Sequence, residues 1–301
     1  MENPQKKQQN KLIAFLSDVL RGVAIGIAFI IPGFSGGSVA AILGIYEKLV
    51  GAIADFFKHF KQSFLTLLPI VLGMLLGVAA LILPIQWGLK HFPMPTVSLF
   101  VGLALGGLPS VTEKLKGETP KWMHFVAFLI PLAVAASLSF LPLAGDVDLF
   151  HLNVGGYLLL VLIGIIGSAA LVVPGISGSM LLLIFGYYNP VVQLITENLL
   201  RGVNVGVSIL VLVCLAGGLV VGFFGISILM KYLLKRFPRG TYFAILGFII
   251  GSVPAVYAST IRESGTMLFT NPWYWVVAAV MLIVGFAFSF ALVLWAKKKN
   301  K

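Results

Sequence analysis

The chain has 301 residues, of which 59% are hydrophobic and only 10% are charged. This composition excludes an ordinary soluble domain, in which about a quarter of the residues are charged. The net charge of +11 does not indicate nucleic-acid binding, because the cations lie at the ends of apolar runs, where they face anionic lipid headgroups. We therefore expect a polytopic α-helical membrane protein that contacts membrane lipids and binds no nucleic acid.

Ten apolar segments follow one another, and each is near the roughly 20 residues that span a bilayer. The first five lie at about 12–31, 35–56, 64–89, 94–112 and 122–144. The second five lie at about 154–173, 177–199, 206–234, 240–259 and 272–296. An acidic, turn-rich stretch at 144–148 divides the two sets. The sequence therefore predicts an all-α fold with a first repeat, 1–144, and a second repeat, 145–301, in one membrane domain.

The two sets match in detail, which indicates an internal duplication. A Pro-Gly-x-Ser-Gly motif at 32–36 returns at 174–178, an offset of 142 residues, and the pattern Gly-x-Tyr at 44–46 returns at 186–188. Further matches pair Gly73 with Gly218, Gly77 with Gly222, Gly102 with Gly247, Gly106 with Gly251 and Pro109 with Pro254. For the glycines of the first two of these pairs we expect close packing between helices, as in other patterns of small residues four apart.

An odd number of crossings in each repeat inserts the second repeat upside down, and the distribution of Lys and Arg agrees with this. With a cytoplasmic N-terminus, 17 of the 21 Lys and Arg residues fall on the cytoplasmic side, and Lys48 lies in or near the membrane. We therefore expect inverted-topology repeats with both termini in the cytoplasm. The count is the same if the first hairpin of each repeat is re-entrant instead of spanning.

The duplicated motif predicts a break in a helix within the membrane. Pro32 removes a backbone donor, and Gly33 permits backbone angles that a helix does not use. Pro174 and Gly175 repeat the pattern in the second set. Two inverted, broken hairpins whose tips meet near the midplane are typical of transporters, so we assign these four residues to the break and to gating.

The start of the helix after such a break favours an anion. With Ser35 or Ser38 as the N-cap, this start presents free N–H groups, hydroxyls and the positive end of the helix dipole. We therefore predict an anion site made from the small and hydroxyl residues of both copies, which are Ser35, Gly36, Gly37, Ser38, Ser177, Gly178 and Ser179.

Ionisable residues in or near the apolar segments are further candidates. Arg21 is the candidate for gripping a phosphate, since arginine binds phosphate bidentately, while Asp18 offers it a local salt bridge instead. Glu47 is the candidate for ion coupling, because a carboxylate beside an anion repels it unless it is protonated or bound to a cation. The other candidate charge partners are Lys48, Asp55, Glu197 and Arg201.

Two other functions stay open at this point. A carrier of a small anion or an ion would use the same broken hairpins. An intramembrane serine hydrolase fits the G-x-S-x-G pattern at 33–37, but it requires a base within about 3 Å of Ser35 or Ser177. The four histidines lie near segment ends and form no metal-ligand cluster, so we expect neither an enzyme nor a bound metal or cofactor.

The tandem motifs, Arg-Gly followed by Pro-Gly-Phe-Ser-Gly-Gly and then Pro-Gly-Ile-Ser-Gly-Ser, resemble those of the bacterial PopT family of polyprenyl-phosphate transporters. The similarity runs from about Leu16 to Trp295. It implies a bacterial inner-membrane protein that returns undecaprenyl phosphate, the lipid carrier of cell-wall precursors, from the outer to the inner leaflet by alternating access. The implied partner is a polyprenyl-phosphate lipid, and a homo-oligomer is left open. Because Ile163 stands where the first copy has Arg21, we do not expect a strictly symmetric site.

Overall fold

The computed structural model describes residues 4–30, 35–117, 119–137, 147–174, 178–199, 201–264 and 273–299. These residues form α-helices and no β-strand, which confirms the predicted all-α fold. The first half contains α1 (Pro4–Ile30), α2 (Gly36–Ile42), α3 (Tyr46–Ala54), α4 (Phe60–His91), α5 (Pro93–Thr112) and α6 (Trp122–Ser137). The second half contains α7 (Val154–Val172), α8 (Gly178–Ile184), α9 (Tyr188–Gln193), α10 (Val205–Arg236), α11 (Pro238–Ser264) and α12 (Trp273–Lys299).

Seven of these helices are long and apolar enough to cross a membrane, and they are α1, α4, α5, α7, α10, α11 and α12. Helix α6 is also apolar but has only 16 residues. Helices α4 and α10 have 32 residues each, so they extend about 48 Å and must tilt or project beyond the roughly 30 Å of hydrocarbon. Large apolar side chains are exposed on the outside of the protein, for example Leu83 of α4 and Trp122 of α6. The chain is a multi-pass membrane protein.

The expectation of one continuous segment at 35–56 is wrong, because this stretch divides into α2 and α3. Gly44, between the two helices, has a left-handed φ of +69°. The N–H of Ile45 donates to the Ala40 carbonyl at 3.0 Å, and the N–H of Gly44 donates to the Ala41 carbonyl at 3.1 Å. These two bonds form the Schellman cap that ends a helix at a glycine.

The expectation of one continuous segment at 177–199 is wrong for the same reason. Gly186 has a φ of +75°, and the N–H of Tyr187 donates to the Leu182 carbonyl at 2.8 Å, so α8 ends there. After α9 the chain continues through a π-helical turn, Leu194–Leu199. The same glycine cap therefore divides the matching segment of each half.

The long helices pack in pairs, and the pairing is the same in both halves. Helix α1 packs along α4, as α7 packs along α10. Helix α5 packs along α12, as α11 packs along α6. The last helix of each half therefore packs on the fifth helix of the other half, which joins the two halves into one body.

Glycine allows these helix pairs to touch backbone to backbone. A Cβ atom on Gly73 would lie 2.0 Å from the carbonyl oxygen of Val19, and one on Gly218 would lie 2.1 Å from that of Val161. The other two glycines of the predicted set would bring a Cβ atom within 2.7 Å of a carbonyl oxygen in the partner helix. The packing role that the sequence predicts for these four glycines is confirmed.

The largest buried core contains residues from both halves. Tyr46 and Ile70 contribute to it from the first half, and Val172, Ile245 and Ile249 contribute from the second. All five are at least nine-tenths buried. This core lies around the end of α1 and the start of α2, so the first predicted break is held by packing from both halves.

Candidate substrate site at the helix breaks

The chain is interrupted between α1 and α2, across the first Pro-Gly-x-Ser-Gly motif. Helix α1 ends before the motif and α2 begins at Gly36, with Ser35 as its N-cap residue. The carbonyl oxygen of Ser35 accepts a hydrogen bond from the N–H of Ser38 at 3.0 Å. Pro32 and Gly33 lie outside the described residues. The described ends show that the helix stops and restarts within the motif.

Hydroxyl groups of the first half bind the carbonyl end of α7. The Ser35 hydroxyl donates to the Val173 carbonyl, with 3.4 Å between the oxygens, and does not cap its own helix. The Tyr46 hydroxyl donates to the Val172 carbonyl at 3.0 Å. The last carbonyls of a helix have no partner in that helix. Donors from the first half therefore satisfy carbonyls that are left open where α7 stops before Pro174.

Gly37 brings the two interrupted helices into contact. A Cβ atom on Gly37 would lie 3.0 Å from the carbonyl oxygen of Val172 and 3.2 Å from the nitrogen of Pro174. Both atoms belong to the backbone and cannot turn aside as a side chain can. A larger residue at position 37 would therefore push the two halves apart at this contact.

Ser38 has unused hydrogen-bonding capacity beside this contact. The residue is 3% exposed, and its hydroxyl makes no hydrogen bond to any residue that the structure describes. Ser208 in α10 is in the same situation. A buried hydroxyl without a partner costs about 1–3 kcal/mol. An anion at the helix break could accept a hydrogen bond from the Ser38 hydroxyl.

The structure describes only the first and the last residue of the second motif. Pro174 is buried at the end of α7, and α8 begins at Gly178. Gly175 and Ser177 lie outside the described residues, and only the backbone of Ser179 is described. The predicted contribution of this motif to an anion site therefore stays a prediction.

Arg21 lies apart from the serines, in a cluster with Asp18 and Lys48. Its Nη1 atom lies 3.2 Å from one carboxylate oxygen of Asp18, and the Lys48 ammonium binds the other. Nine residues of α1 separate Arg21 from the end of the helix, a rise of about 14 Å, so Arg21 is not beside Ser35. The local salt bridge that the sequence offered as the alternative is formed.

This cluster retains a net positive charge, because two cations share one carboxylate. Asp18 is buried, whereas Arg21 and Lys48 are partly exposed to a cavity of about 440 Å³. Ser17 also lines this cavity. An anion that enters the cavity meets the two cations, while the buried carboxylate is covered by the groups that bind it.

Glu47 and Asp55 join α3 to the second half. Glu47 accepts a hydrogen bond from the Tyr242 hydroxyl of α11, and its Oε1 atom lies 3.5 Å from the Nζ atom of Lys114. Asp55 binds the ammonium of Lys231 in α10. The hydrogen bond from Lys231 lowers the pKa of the Asp55 carboxyl below its usual value of 3.8. Two polar contacts therefore hold α3 against α10 and α11.

A polar cavity of about 260 Å³ collects three of the predicted charge partners, which are Glu47, Lys48 and Asp55. His59 lines the same cavity from the start of α4. Residues three and four apart share one face of a helix, so the spacing through Gly51 places these side chains together. The structure thus brings these candidates together in one cavity, while Arg21 lines the neighbouring one.

Glu197 and Arg201 are not part of this group. Glu197 lies in the π-helical turn after α9, and Arg201 follows it; both are exposed. From its start at Val205 to Lys231, α10 rises about 39 Å. Glu197 matches Asp55 in sequence, yet the two residues lie at opposite ends of α10.

Three residues that join the halves escape the sequence reasoning. Tyr46 directly follows the duplicated glycine cap, which is the signal that would have drawn attention to it. Lys231 enters the sequence reasoning only as one of the positive charges near a segment end. No local pattern marks Tyr242 as the partner of Glu47, since 195 residues separate them.

Comparisons with known proteins cover nearly the whole chain. The family model described as VCA0040-like, undecaprenyl phosphate translocase-like, matches residues 25–270. A Staphylococcus aureus protein named polyprenyl-phosphate transporter is 31% identical over 277 residues, which are 91% of this chain and 95% of the relative. A Vibrio cholerae protein of the same name is 28% identical over 325 residues, which are 96% of this chain and 99% of the relative. No solved structure matches the chain.

Proposed function

The chain belongs to the VCA0040-like family of undecaprenyl phosphate translocase-like proteins, and we propose that it carries a polyprenyl phosphate, undecaprenyl phosphate in particular, across a membrane. The names of the relatives supply the substrate class. The observation in this chain that carries the proposal is the contact between the two interrupted helices beside Ser38, whose buried hydroxyl binds none of the described residues. A phosphate headgroup does not cross about 30 Å of hydrocarbon unaided, and a broken helix offers it polar groups within that layer.

The headgroup binds between the two breaks. Small residues let the backbone approach the phosphate, and hydroxyls and free N–H groups donate hydrogen bonds to it. Ser38 supports this assignment most directly, because its hydroxyl is buried and has unused capacity. The residues assigned to the headgroup site are Ser35, Gly36, Gly37, Ser38, Ser177, Gly178 and Ser179. The residues assigned to the break and its movement are Pro32, Gly33, Pro174 and Gly175.

Arg21 and Lys48 receive the phosphate on its way between the membrane surface and the break. Both cations face the 440 Å³ cavity, and their shared carboxylate, Asp18, neutralises only one of the two charges. Arginine donates to two phosphate oxygens at once, whereas lysine acts as a point charge. Attraction at this cluster would bring the headgroup out of the surface layer before it reaches Ser38.

The two repeats, 1–144 and 145–301, insert in opposite orientations in the bacterial cell membrane, with both termini in the cytoplasm. The distribution of 17 of 21 Lys and Arg residues supports this orientation. The matching glycine caps and the matching helix pairs support the duplication. The positions of Asp55 and Glu197 at opposite ends of α10 support the inversion.

Alternating access requires the halves to separate at one end and then at the other. The bonds from Asp55 to Lys231 and from Glu47 to Tyr242 join the halves at the cytoplasmic end. Opening of this end therefore breaks both. Glu47, which accepts the hydrogen bond from Tyr242 across this interface, is the residue we assign to coupling the opening to an ion. Net movement from the outer to the inner leaflet would return the lipid carrier to the synthesis of the cell envelope.

A leaflet assay in proteoliposomes tests the proposed function. Purified full-length protein is reconstituted with labelled undecaprenyl phosphate in the outer leaflet, and the fraction that reaches the inner leaflet is followed over time. We expect transfer to be faster than in protein-free vesicles of the same lipid. Transfer at the protein-free rate would contradict the proposal.

The same vesicles separate the alternatives. A carrier of small anions would take up labelled inorganic phosphate and leave the lipid in place. A hydrolase would release phosphate from the lipid, and it would need a base beside its serine. The Ser35 hydroxyl binds the Val173 carbonyl instead.

A further inference from the structure

A third cavity lies beside the first break and is lined almost entirely by carbon atoms. It has a volume of about 270 Å³ between α1, α2, α5 and α12. Ser289 is the single residue with a polar side chain among those that line it. The apolar walls include Ala24, Ala28, Val39, Ile42, Phe288 and Leu292. We call this space the α1–α12 cavity.

The α1–α12 cavity opens toward the outer surface of the protein. Phe288 and Leu292 line it, and they are also 60% and 50% exposed on α12. Helix α1 packs along α4, and α12 packs along α5, so these two helices border the cavity without packing along each other. A chain inside the cavity can therefore leave sideways between α1 and α12 into the lipid.

The inner end of the cavity lies next to the first break. Val39 lines the cavity and is the residue after Ser38, and Ala28 lines it two residues before α1 ends. The position of α2 is fixed by Ser110 of α5, whose hydroxyl donates to the Ile42 carbonyl at the end of that helix. The apolar wall at Val39 and the buried hydroxyl of Ser38 therefore belong to the same short helix.

We propose that the α1–α12 cavity binds the part of the prenyl chain nearest the phosphate while the headgroup is at Ser38. This inference rests on the proposed function, and it names the place of the tail. An apolar cavity of about 150 Å³ accommodates benzene, so 270 Å³ has room for about ten carbon atoms, or roughly two isoprene units. Such a cavity gains free energy when hydrocarbon fills it, whereas it offers water too few polar partners.

An ordinary phospholipid is the competing occupant, and its chemistry fits the site less well. Its ester groups and glycerol would separate the phosphate from the alkyl chain by several polar atoms. In a prenyl phosphate the hydrocarbon begins directly at the phosphate oxygen. In α2 the hydroxyl-bearing Ser38 is followed directly by Val39 of the apolar wall, with no further polar residue between them, which matches this second arrangement.

Photo-crosslinking locates the tail. Full-length protein in proteoliposomes receives undecaprenyl phosphate with a diazirine on the isoprene unit next to the phosphate, and labelled peptides are mapped after illumination. We expect label on the walls of the cavity, at Val39 and Phe288. Phosphatidylethanolamine with a diazirine in its acyl chain should label these walls about tenfold less. Equal labelling by the two probes, or prenyl label spread over the outer faces of α4, would overturn the proposal.

Two substitutions reduce the cavity in different ways. Ala24→Phe fills it from α1, and Leu292→Trp narrows its mouth, where the half-exposed position leaves room for a larger side chain. The control, Ala79→Phe, adds the same ring to an exposed position of α4. We expect the two cavity variants to lose about tenfold in prenyl labelling and in transport, the effect of losing roughly two buried methylene groups. The control should keep the wild-type values.

The outcomes separate this inference from the proposed function. If wild-type protein does not move undecaprenyl phosphate, the proposed function fails. If wild-type protein moves it and both cavity variants move it equally well, the assignment of the tail fails alone.

Discussion

Equivalent positions in α1 and α7 hold opposite kinds of side chain. In the first half, Asp18 is buried with Arg21 and Lys48 around it. At an offset of 142 residues, the second half has Leu160, which is 0% exposed, and the buried Ile163. The two helices are otherwise alike, since α1 packs along α4 as α7 packs along α10.

This difference separates what the fold requires from what the substrate requires. Leu160 and Ile163 show that apolar packing is sufficient to hold the helix pair at this position. A buried ion pair is seldom more stabilising than an apolar replacement of similar volume. We therefore expect that folding does not require the charged cluster of the first half, and its presence in only one of the two helices agrees with the proposed role in binding the phosphate.

Exchanging the two kinds of residue should cause the largest change in stability. Leu160→Asp places an unpaired carboxylate in a fully buried apolar site and should cost about 3–5 kcal/mol. Asp18→Leu leaves two partly exposed cations that water still reaches, and it should cost about 1 kcal/mol. The thermal unfolding midpoints of the purified variants measure this. Equal losses of stability in the two variants would contradict the division of roles.

Substitutions of Arg21 test the role of the charged cluster in transport at a single residue. Arg21→Ala removes one charged donor to the phosphate, a hydrogen bond that contributes about 1.5–3 kcal/mol, so transport of undecaprenyl phosphate at low substrate should fall about tenfold or more. Arg21→Lys keeps the charge but loses the bidentate geometry, so it should lie between alanine and wild type. Both are measured in the leaflet assay. Unchanged transport by Arg21→Ala would leave the residue with only its salt bridge to Asp18.

Loss of the contact between Asp55 and Lys231 should have a smaller effect, on the opening of the cytoplasmic end. This pair is partly exposed, and such pairs contribute about 0–1 kcal/mol. Asp55→Asn should therefore increase opening of the cytoplasmic end by a few-fold at most. A cysteine at Gly51, where a side chain meets no neighbouring atom, reports opening through its rate of reaction with an impermeant maleimide, in a Cys214→Ser background.

The pH dependence of that rate follows from the lowered pKa of Asp55. Because the pKa of Asp55 lies below its usual value of 3.8, most of the carboxyl is still ionised near pH 4. The contact to Lys231 is therefore present from neutral pH down to about pH 4 and is lost only below that range. The difference between wild type and Asp55→Asn should persist from pH 7 to pH 4. A difference that disappears between pH 7 and pH 5 would show that another group controls the opening.

The sequence predicted the parts of the fold that depend on local pattern. Long apolar runs predicted the spanning helices, and glycines four apart predicted the closest helix contacts. The divisions at Gly44 and Gly186 were missed, because an isolated glycine within an apolar run resembles a packing position as much as a cap. The spacing of Glu47, Lys48 and Asp55 on one helix is local, but their assembly into one cavity with His59 was not apparent.

Contacts between the two halves could not be predicted from patterns in the sequence. The hydroxyl of Tyr46 binds a carbonyl 126 residues away, and nothing near either residue specifies the other. The α1–α12 cavity is formed by four helices whose apolar residues look like ordinary lipid-facing or core positions. Such features depend on how the helices pack, which the periodicity of a single chain does not determine.

The initial rate of undecaprenyl phosphate transfer by Ser38→Ala protein, relative to Ser208→Ala protein, tests the central claim most directly. Both serines are buried with hydroxyls that bind none of the described residues, so neither change removes a hydrogen bond within that part of the chain, but only Ser38 lies at the helix break. We predict that Ser38→Ala slows transfer about tenfold or more, while Ser208→Ala transfers at the wild-type rate. Equal rates for the two variants would contradict a headgroup site at the break.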